Sequence, residues 1–175
     1  TPSISVGDQV SDGTVVISGV YSEGSGYVVI RNDGGGRGTP GPVMGFTPVG
    51  PGWSYNVPVE LALDVATATL YASLHTDDPN DEGNTGTFDF GELGGTDSPV
   101  IVDDEPLQVA FKAQVIQMSD QFVAEDNTVT LDTVVTDAAG WLVIHAGDAA
   151  NFGAVLGQTQ VRRGHNSNVS VEIAA

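Results

Sequence analysis

The densest group of side chains that could do chemistry is an acidic stretch between His75 and Phe90. Carboxylate and amide oxygens are the ligands that Ca²⁺ prefers, and the ion takes about six to eight of them from a flexible loop. The series Asp78-x-Asn80-x-Glu82 starts like an EF-hand loop, but no glutamate follows at the twelfth position. The sequence therefore offers a calcium site as a candidate, and it favours a solvated acidic hairpin tip slightly over that site. The candidate metal ligands are Asp78, Asn80, Glu82, Asn84 and Asp89.

The remaining polar residues do not form a recognisable catalytic site. His75, His145 and His165 lack the paired ligands of a zinc site, and each is expected to be exposed or at a rim. The chain has no cysteine, no Gly-x-Ser-x-Gly nucleophile elbow, no phosphate-binding glycine loop and no His-Glu-x-x-His motif. A protein that is not an enzyme, with calcium as the only cofactor suggested, is therefore expected.

The charge of the chain is strongly acidic. There are 23 Asp and Glu residues against five Lys and Arg, for a net charge of −18. Phosphates would be repelled, which excludes nucleic acid as a partner and disfavours an anionic membrane surface. Such a surface keeps a protein soluble in salt and attracts cations, which favours a saline or calcium-rich exterior. General solubility is the alternative explanation of the same charge.

The start of the chain and its hydropathy favour an exported protein. No apolar run approaches the length of about 18 residues that spans a membrane as a helix. The sequence opens Thr1-Pro2 without a methionine or a basic and apolar leader, which fits a processed exported protein or a trimmed one. The predicted location is therefore extracellular or at the cell surface.

Short β-branched runs separated by glycine and proline predict strands and almost no helix. The segment 67–75 alternates, with Ala68, Leu70, Ala72 and Leu74 on one face. The segment 107–115 alternates in the same way, and only Asp148 to Leu156 is a candidate for a helical turn. Many short strands with regular turns predict an all-β fold, an antiparallel immunoglobulin-like β-sandwich.

Two stretches of the chain are copies of one another. Asp8-Gln9 recurs as Asp120-Gln121, and Gly26-Tyr27-Val28-Val29-Ile30 recurs as Gly140-Trp141-Leu142-Val143-Ile144. Later parts of both copies also match, and the segment 107–115 joins them. The sequence therefore predicts a complete repeat over 1–113 and a second, incomplete repeat over 114–175. An aromatic residue kept in both copies, Tyr27 and Trp141, is expected to pack in the interior.

These motifs resemble an uncharacterised β-sandwich domain family of archaeal and bacterial secreted or cell-surface proteins. The resemblance rests on Asp-Gln followed by Thr-Val, and then on Gly-Trp-Leu-Val-Ile-His-Ala, Gly-x-Val-Leu-Gly and Asn-x-Asn-Val-x-Val-Glu. It also rests on the segments 68–77, 86–90 and 98–100 of the first copy. The resemblance covers about 3–113 and 115–173, and the second copy lacks a match to 67–113. It implies secretion and a β-sandwich, and no catalytic residues.

The incomplete second copy suggests a function. Its apolar strand faces and open edge need cover, and an open edge is a template for a strand from another chain. The N-terminal residues Ser3, Ile4, Ser5 and Val6 are the predicted strand donor. The leading hypothesis is a secreted structural subunit that assembles head-to-tail into an extracellular filament or surface layer by β-strand exchange.

The alternative is a monomeric cell-surface module for adhesion or carbohydrate binding, stabilised by calcium. In that case the two repeats pack on each other, and the partner is a glycan that stacks on exposed aromatic rings. An exposed aromatic platform and glycan binding without assembly would distinguish this alternative from the filament subunit.

Overall fold

A computed structural model of the chain describes residues 1–80, 86–90, 95–123 and 125–174. The described residues form an all-β fold, as the alternation of the sequence predicts. In the first half, the strands are β1 (Ser3–Ser5), β2 (Gln9–Ser11), β3 (Thr14–Ser22), β4 (Gly26–Asp33), β5 (Pro40–Val49), β6 (Gly52–Glu60) and β7 (Thr69–Thr76), with a 3₁₀ turn at Leu63–Val65. The later strands are β8 (Ile101–Val102), β9 (Glu105–Pro106), β10 (Gln108–Gln117), β11 (Thr128–Thr136), β12 (Gly140–Asp148), β13 (Asn151–Val161) and β14 (Gly164–Glu172).

The first repeat is a closed β-sandwich. One sheet has the order β1-β3-β6, and the facing strands run β10-β7-β4-β5, with β2 added parallel to β10. Apart from that one pair, the strands of both sheets are antiparallel. Side chains from both sheets meet in one core, and the largest of them that are fully buried include Ile17, Ile30, Leu70 and Leu74.

The second repeat reproduces the first over four strands. β11, β12, β13 and β14 correspond to β3, β4, β5 and β6, with the same neighbours β11–β14 and β12–β13. The end of β10 takes the place of β1, because Val115 lies opposite Val135 where Ser3 lies opposite Tyr21. β10 is therefore the last strand of the first repeat and also the first strand of the second. This shared use explains why the joining segment has the pattern of one long strand.

An asparagine at the same place in each repeat, in β6 and in β14, marks the point where the buried and exposed faces of the strand change sides. Asn56 and Asn168 have φ of 51° and 50°, in the left-handed region that asparagine tolerates better than most residues. The pairing skips one position there, from Ile17–Val57 to Gly19–Tyr55. The faces of the strand are exchanged beyond this point, so strict alternation fails in the last third of β3.

A glycine at the same place in each repeat lets the two sheets approach. A Cβ on Gly45 would collide with the carbonyl oxygen of Glu60, and a Cβ on Gly157 would collide with that of Glu172. The adjacent residue of each repeat completes the contact, because the carbonyl oxygens of Met44 and Leu156 accept backbone N–H groups of the last strand's exit. This contact gives the recurring Val-Met-Gly and Val-Leu-Gly motifs a structural reason.

The helical turn predicted over Asp148 to Leu156 is wrong. The carboxylate of Asp148 accepts the N–H groups of Ala150 and Asn151 at 2.9 Å and closes a tight turn, after which β13 begins. A side chain that caps a turn in this way competes with helix formation. Among the described residues, no helix is long and apolar enough to cross a membrane.

Candidate functional site

Among the described residues, the second repeat has no counterpart of the two strands that complete the first sheet. In the first repeat β7 pairs with β4 along its length, from Gly26–Thr76 to Asn32–Leu70, and β10 pairs with β7. Among the described strands, β12 pairs with β13 alone, so its other edge carries unpaired backbone groups. The surroundings of the glycines that begin β4 and β12 differ in the same way. A Cβ on Gly26 would strike the His75 carbonyl, whereas a Cβ on Gly140 would meet nothing within 4 Å.

A groove lies where these strands would run. It has a volume of about 480 Å³, and its walls include Met118, Asp120 and Gln121 on one side and Ile144 and Phe152 on the other. In the first repeat the strand order between the corresponding walls is β2-β10-β7-β4, so two strands fill this place. In the first repeat the spacing of paired strands sets the corresponding walls about 14 Å apart.

The core of the second repeat is correspondingly small. Among the described residues, the first hydrophobic cluster holds eighteen buried side chains and the second holds five. Ile30 of β4, which pairs with β7, is fully buried in the first core, whereas its counterpart Ile144 lines the groove and is only half-buried. Covering a side chain of this size stabilises a fold by about 1.5 to 3 kcal/mol. The groove therefore presents apolar surface that an additional strand would stabilise by covering.

Tyr27 and Trp141 occupy equivalent positions but differ in burial. Tyr27 is 2% exposed beneath Phe46 and Phe88, as expected, and burial together with the charges of nearby aspartates raises its pKa to about 12. Trp141 is 58% exposed, so the expectation of interior packing is wrong for the second repeat. The loop that carries Phe88 follows β7 in the first repeat, and the described residues hold no counterpart beside Trp141.

In the first repeat, both residues of the Asp-Gln motif form hydrogen bonds with neighbouring strands. The side chain of Gln9 bonds both backbone groups of Val16, and that of Gln121 bonds both backbone groups of Thr130. Asp8 accepts the N–H of Lys112 in β10 at 2.8 Å. The counterpart of Asp8 is Asp120, in the wall of the groove. Asp120 therefore lies at the position from which Asp8 binds β10 in the first repeat.

The acidic loop over the first repeat is organised by Asp97. Its carboxylate is 1% exposed and accepts the N–H groups of Asp78 at 3.1 Å and Asp89 at 3.0 Å. The predicted ligand Asp78 bonds the backbone N–H and side-chain amide of Asn80, and Asp89 accepts the N–H of Thr96. The other two predicted ligands, Glu82 and Asn84, lie outside the described residues. No group of three or more His, Cys, Asp or Glu that could hold a metal occurs in the described part of the chain, and the calcium site stays a prediction.

His75 is buried, so the expectation that it is exposed or at a rim is wrong. The side chain is 1% exposed, with Nδ1 2.8 Å from the carbonyl oxygen of Asp97 and its ring against Phe88 and Phe90. Burial, and secondly the charge of Arg31, lower the pKa of His75 below its ordinary value. His145 and His165 are exposed, as predicted. The periodicity of β7 gave no sign that a distant loop covers its polar face.

The lowered pKa of His75 predicts a stability that falls with acidification. The neutral ring is favoured in the folded chain, so its contribution is complete above the unfolded-state pKa of about 6.5 and is lost as the pH falls toward the lower folded-state value. We expect His75→Gln to reduce the loss of unfolding free energy between about pH 7 and pH 5, measured by denaturant titration. His145→Gln, at an exposed histidine of β12, is the control, and equal slopes for His75→Gln and the unchanged chain would contradict the prediction.

The predicted strand donor has a partner within its own chain. Ser3, Ile4 and Ser5 form β1 and pair with Tyr21, Val20 and Gly19 of β3. Ile4 and Val6 also pack against the first core. A donor role in another copy would require this three-residue pairing to open first, and it stays a prediction.

The two-sheet fold and the repeat place the chain among tandem β-sandwich proteins. A family described as a domain of unknown function, DUF7282, matches it twice, over residues 2–114 and 113–175, and the chain belongs to this family. The two matched segments meet inside β10, the strand that both repeats share. The second match stops short of any counterpart of β7 and β10. No curated protein and no solved structure matches the chain.

Proposed function

We propose that this protein is a secreted structural subunit that assembles with copies of itself into an extracellular filament or surface layer. The contact is made by the uncovered strands of the second repeat. The observation that carries this proposal is the unpaired edge of β12 beside a groove that two strands fill in the first repeat. Strand addition at such an edge supplies backbone hydrogen bonds together with the burial of alternate side chains.

The charge of the chain supports a role outside the cell in a saline or cation-rich medium. A net charge of −18 on each copy opposes association, and this repulsion weakens when salt shortens the Debye length. Assembly would therefore depend on ionic strength. Divalent cations that bind the acidic loop would lower the negative charge of each copy and would therefore favour assembly, as added salt does.

The head-to-tail form of this assembly uses Ser3 to Val6 as the donor strand. The groove and the open edge of β12 offer a longer row of backbone groups than the three residues of β3 that hold β1. A terminal strand that exchanges its partner in this way would build an open chain of subunits, because the contact is heterologous.

The two tryptophans of the chain provide a matched test of the assembly. Trp141 is 58% exposed on β12 and Trp53 is 57% exposed on β6 of the first repeat. We expect sedimentation velocity and electron microscopy to show monomers at about 0.02 M NaCl and assemblies at about 2 M NaCl. Trp141→Glu should abolish assembly, because it places a charge on the surface to be covered, and Trp53→Glu should leave it intact.

Two outcomes would contradict the proposal. Monomers under every salt and calcium condition would exclude self-assembly, and assembly that survives Trp141→Glu would place the contact elsewhere. Removal of residues 1–6 separates the two forms of the contact. Loss of assembly in that variant identifies the N-terminal donor, and retained assembly identifies the β12 edge without it.

A monomeric module for adhesion or carbohydrate binding is the second candidate. The observation that favours it is an exposed aromatic cluster on the first repeat, in which Trp53 stacks on Tyr55 with ring centroids 5.5 Å apart and Tyr21 lies 5.4 Å from Trp53. Such rings could stack on a sugar. The same rings also cover Gly19 of β3, which has no side chain of its own to protect the strand. Monomers at every salt concentration would favour this candidate.

A further inference from the structure

We infer that the strand covering β12 is β12 of a second copy, laid antiparallel to it around a twofold axis. The inference rests on the proposed self-assembly and replaces the N-terminal donor strand at this edge. Because an isologous contact closes between two copies, a filament or surface layer would then need a further contact between such dimers. It assigns the groove of each copy to the β12–β13 hairpin of the other.

The sequence of β12 resembles that of β7, the strand that its edge lacks. Tyr71-Ala72-Ser73-Leu74-His75 in β7 corresponds to Trp141-Leu142-Val143-Ile144-His145 in β12. Each has an aromatic residue first, a histidine last and apolar side chains at the second and fourth positions. A second copy of β12 therefore offers the side-chain pattern that already covers β4 in the first repeat.

The hairpin also has the correct number and direction of strands. In the first repeat, β7 is antiparallel to β4 and β10 is antiparallel to β7. In the inferred dimer the partner's β12 is antiparallel to β12, and the partner's β13 is antiparallel to that strand. The sheet then runs β13-β12-β12-β13, and the two-strand gap of each copy receives two strands.

The register of the first repeat places one residue on the axis. Tyr27 lies opposite His75, Val28 opposite Leu74 and Val29 opposite Ser73. Replacing β4 by β12 and β7 by the partner's β12 sets Trp141 opposite His145, Leu142 opposite Ile144 and Val143 opposite its own copy. Any antiparallel pairing of two identical strands is twofold symmetric, so what the register of the first repeat adds is the position of the axis, at Val143.

The composition of the hairpin permits close approach of two acidic molecules. Residues 140–161 contain a single acidic residue, Asp148 in the turn, and no lysine or arginine, in a chain with a net charge of −18. Edge strands that must stay unpaired are commonly protected by charge or proline. β5, the edge strand of the first repeat, has Pro40, Pro42 and Pro48, whereas neither β12 nor β13 contains proline.

Single cysteines provide the test, because the natural chain has none. Residues directly opposite in an antiparallel pair have Cα atoms about 4.5 to 5.5 Å apart, within the range of a disulfide. Val143→Cys should therefore form a disulfide-linked dimer when oxidised glutathione is added at high salt. Trp141→Cys and His145→Cys, each about 13 Å from its own copy along the strands, should not. The double variant with cysteine at 141 and 145 should cross-link.

We expect at least about tenfold more linked dimer on non-reducing gels for Val143→Cys than for either neighbouring single variant. Equal linkage at all three positions, or linkage at 141 alone, would overturn the inferred register. If no variant links but Trp141→Glu still abolishes assembly, the twofold contact fails while the proposed function stands. If the protein is monomeric throughout, both fail.

Discussion

Gly26→Ala is expected to lower the free energy of unfolding by roughly 2 to 3 kcal/mol, whereas Gly140→Ala leaves it nearly unchanged. The two glycines begin equivalent strands, but a Cβ at Gly26 would collide with the His75 carbonyl of β7, and a Cβ at Gly140 points into open space. The backbone of a paired strand cannot move aside as a flexible side chain can. Denaturant titration of both variants at low salt, where the chain is expected to be monomeric, measures the difference.

The same pair of glycines reports on the contact between copies. In the inferred dimer the partner's His145 takes the place of His75, so Gly140→Ala should weaken assembly at high salt without destabilising the monomer. Equal loss of stability in both variants at low salt would mean that β12 is already covered within its own chain. If neither variant lowered the free energy of unfolding, the pairing of β4 with β7 would be contradicted.

The sequence alone could predict most strands because burial on one face imposes a period of two residues. Thr67 to His75 and the joining segment 107–115 follow this rule, and the strands β7 and β10 confirm it. The segments of β5 and β13 show no such period, because proline, glycine and polar residues interrupt their alternation. Their pairing depends on β4 and β12, which lie across a turn, and on the approach of Gly45 and Gly157 to the opposite sheet.

The candidate site shows where local patterns stop being informative. Tyr27 and Trp141 have equivalent sequence neighbours, yet one is buried and the other exposed, because burial depends on a segment far along the chain. His75 was expected to be exposed for the same reason, since Phe88 and Phe90 reach it from a loop without periodicity. The repeat itself was the useful signal, because comparing its two copies predicts which strands of the first have no counterpart within residues 114–175.

Comparing the copies also separates side chains that make the same bonds in both repeats from those whose bonding partner occurs in the first repeat alone among the described residues. Gln9 and Gln121 make the same bonds in both repeats, so they stabilise each one internally. Asp8 reaches β10, whereas Asp120 faces the groove. Asp120 is thus a residue that recurs in sequence although, among the described residues, the strand bound by its counterpart Asp8 does not.

Asp97→Ala is expected to destabilise the first repeat by roughly 3 kcal/mol, because it leaves two backbone N–H groups of the acidic loop without their charged acceptor. The carboxylate is 1% exposed and binds the N–H groups of Asp78 and Asp89, at opposite sides of the loop. Without it, the loop loses the bonds that hold it over Tyr27 and His75. Denaturant titration at neutral pH measures the loss.

Asp64→Ala is the control, because it removes one negative charge from an exposed position of the 3₁₀ turn. If the loss in Asp97→Ala were due to net charge alone, the two variants would agree, and the assignment of Asp97 as the organiser of the loop would be wrong. The pH dependence of stability provides a second readout, because the loop covers the ring of His75. Release of the loop would expose His75, so the acid-dependent loss of stability assigned to that histidine should diminish in Asp97→Ala and persist in Asp64→Ala.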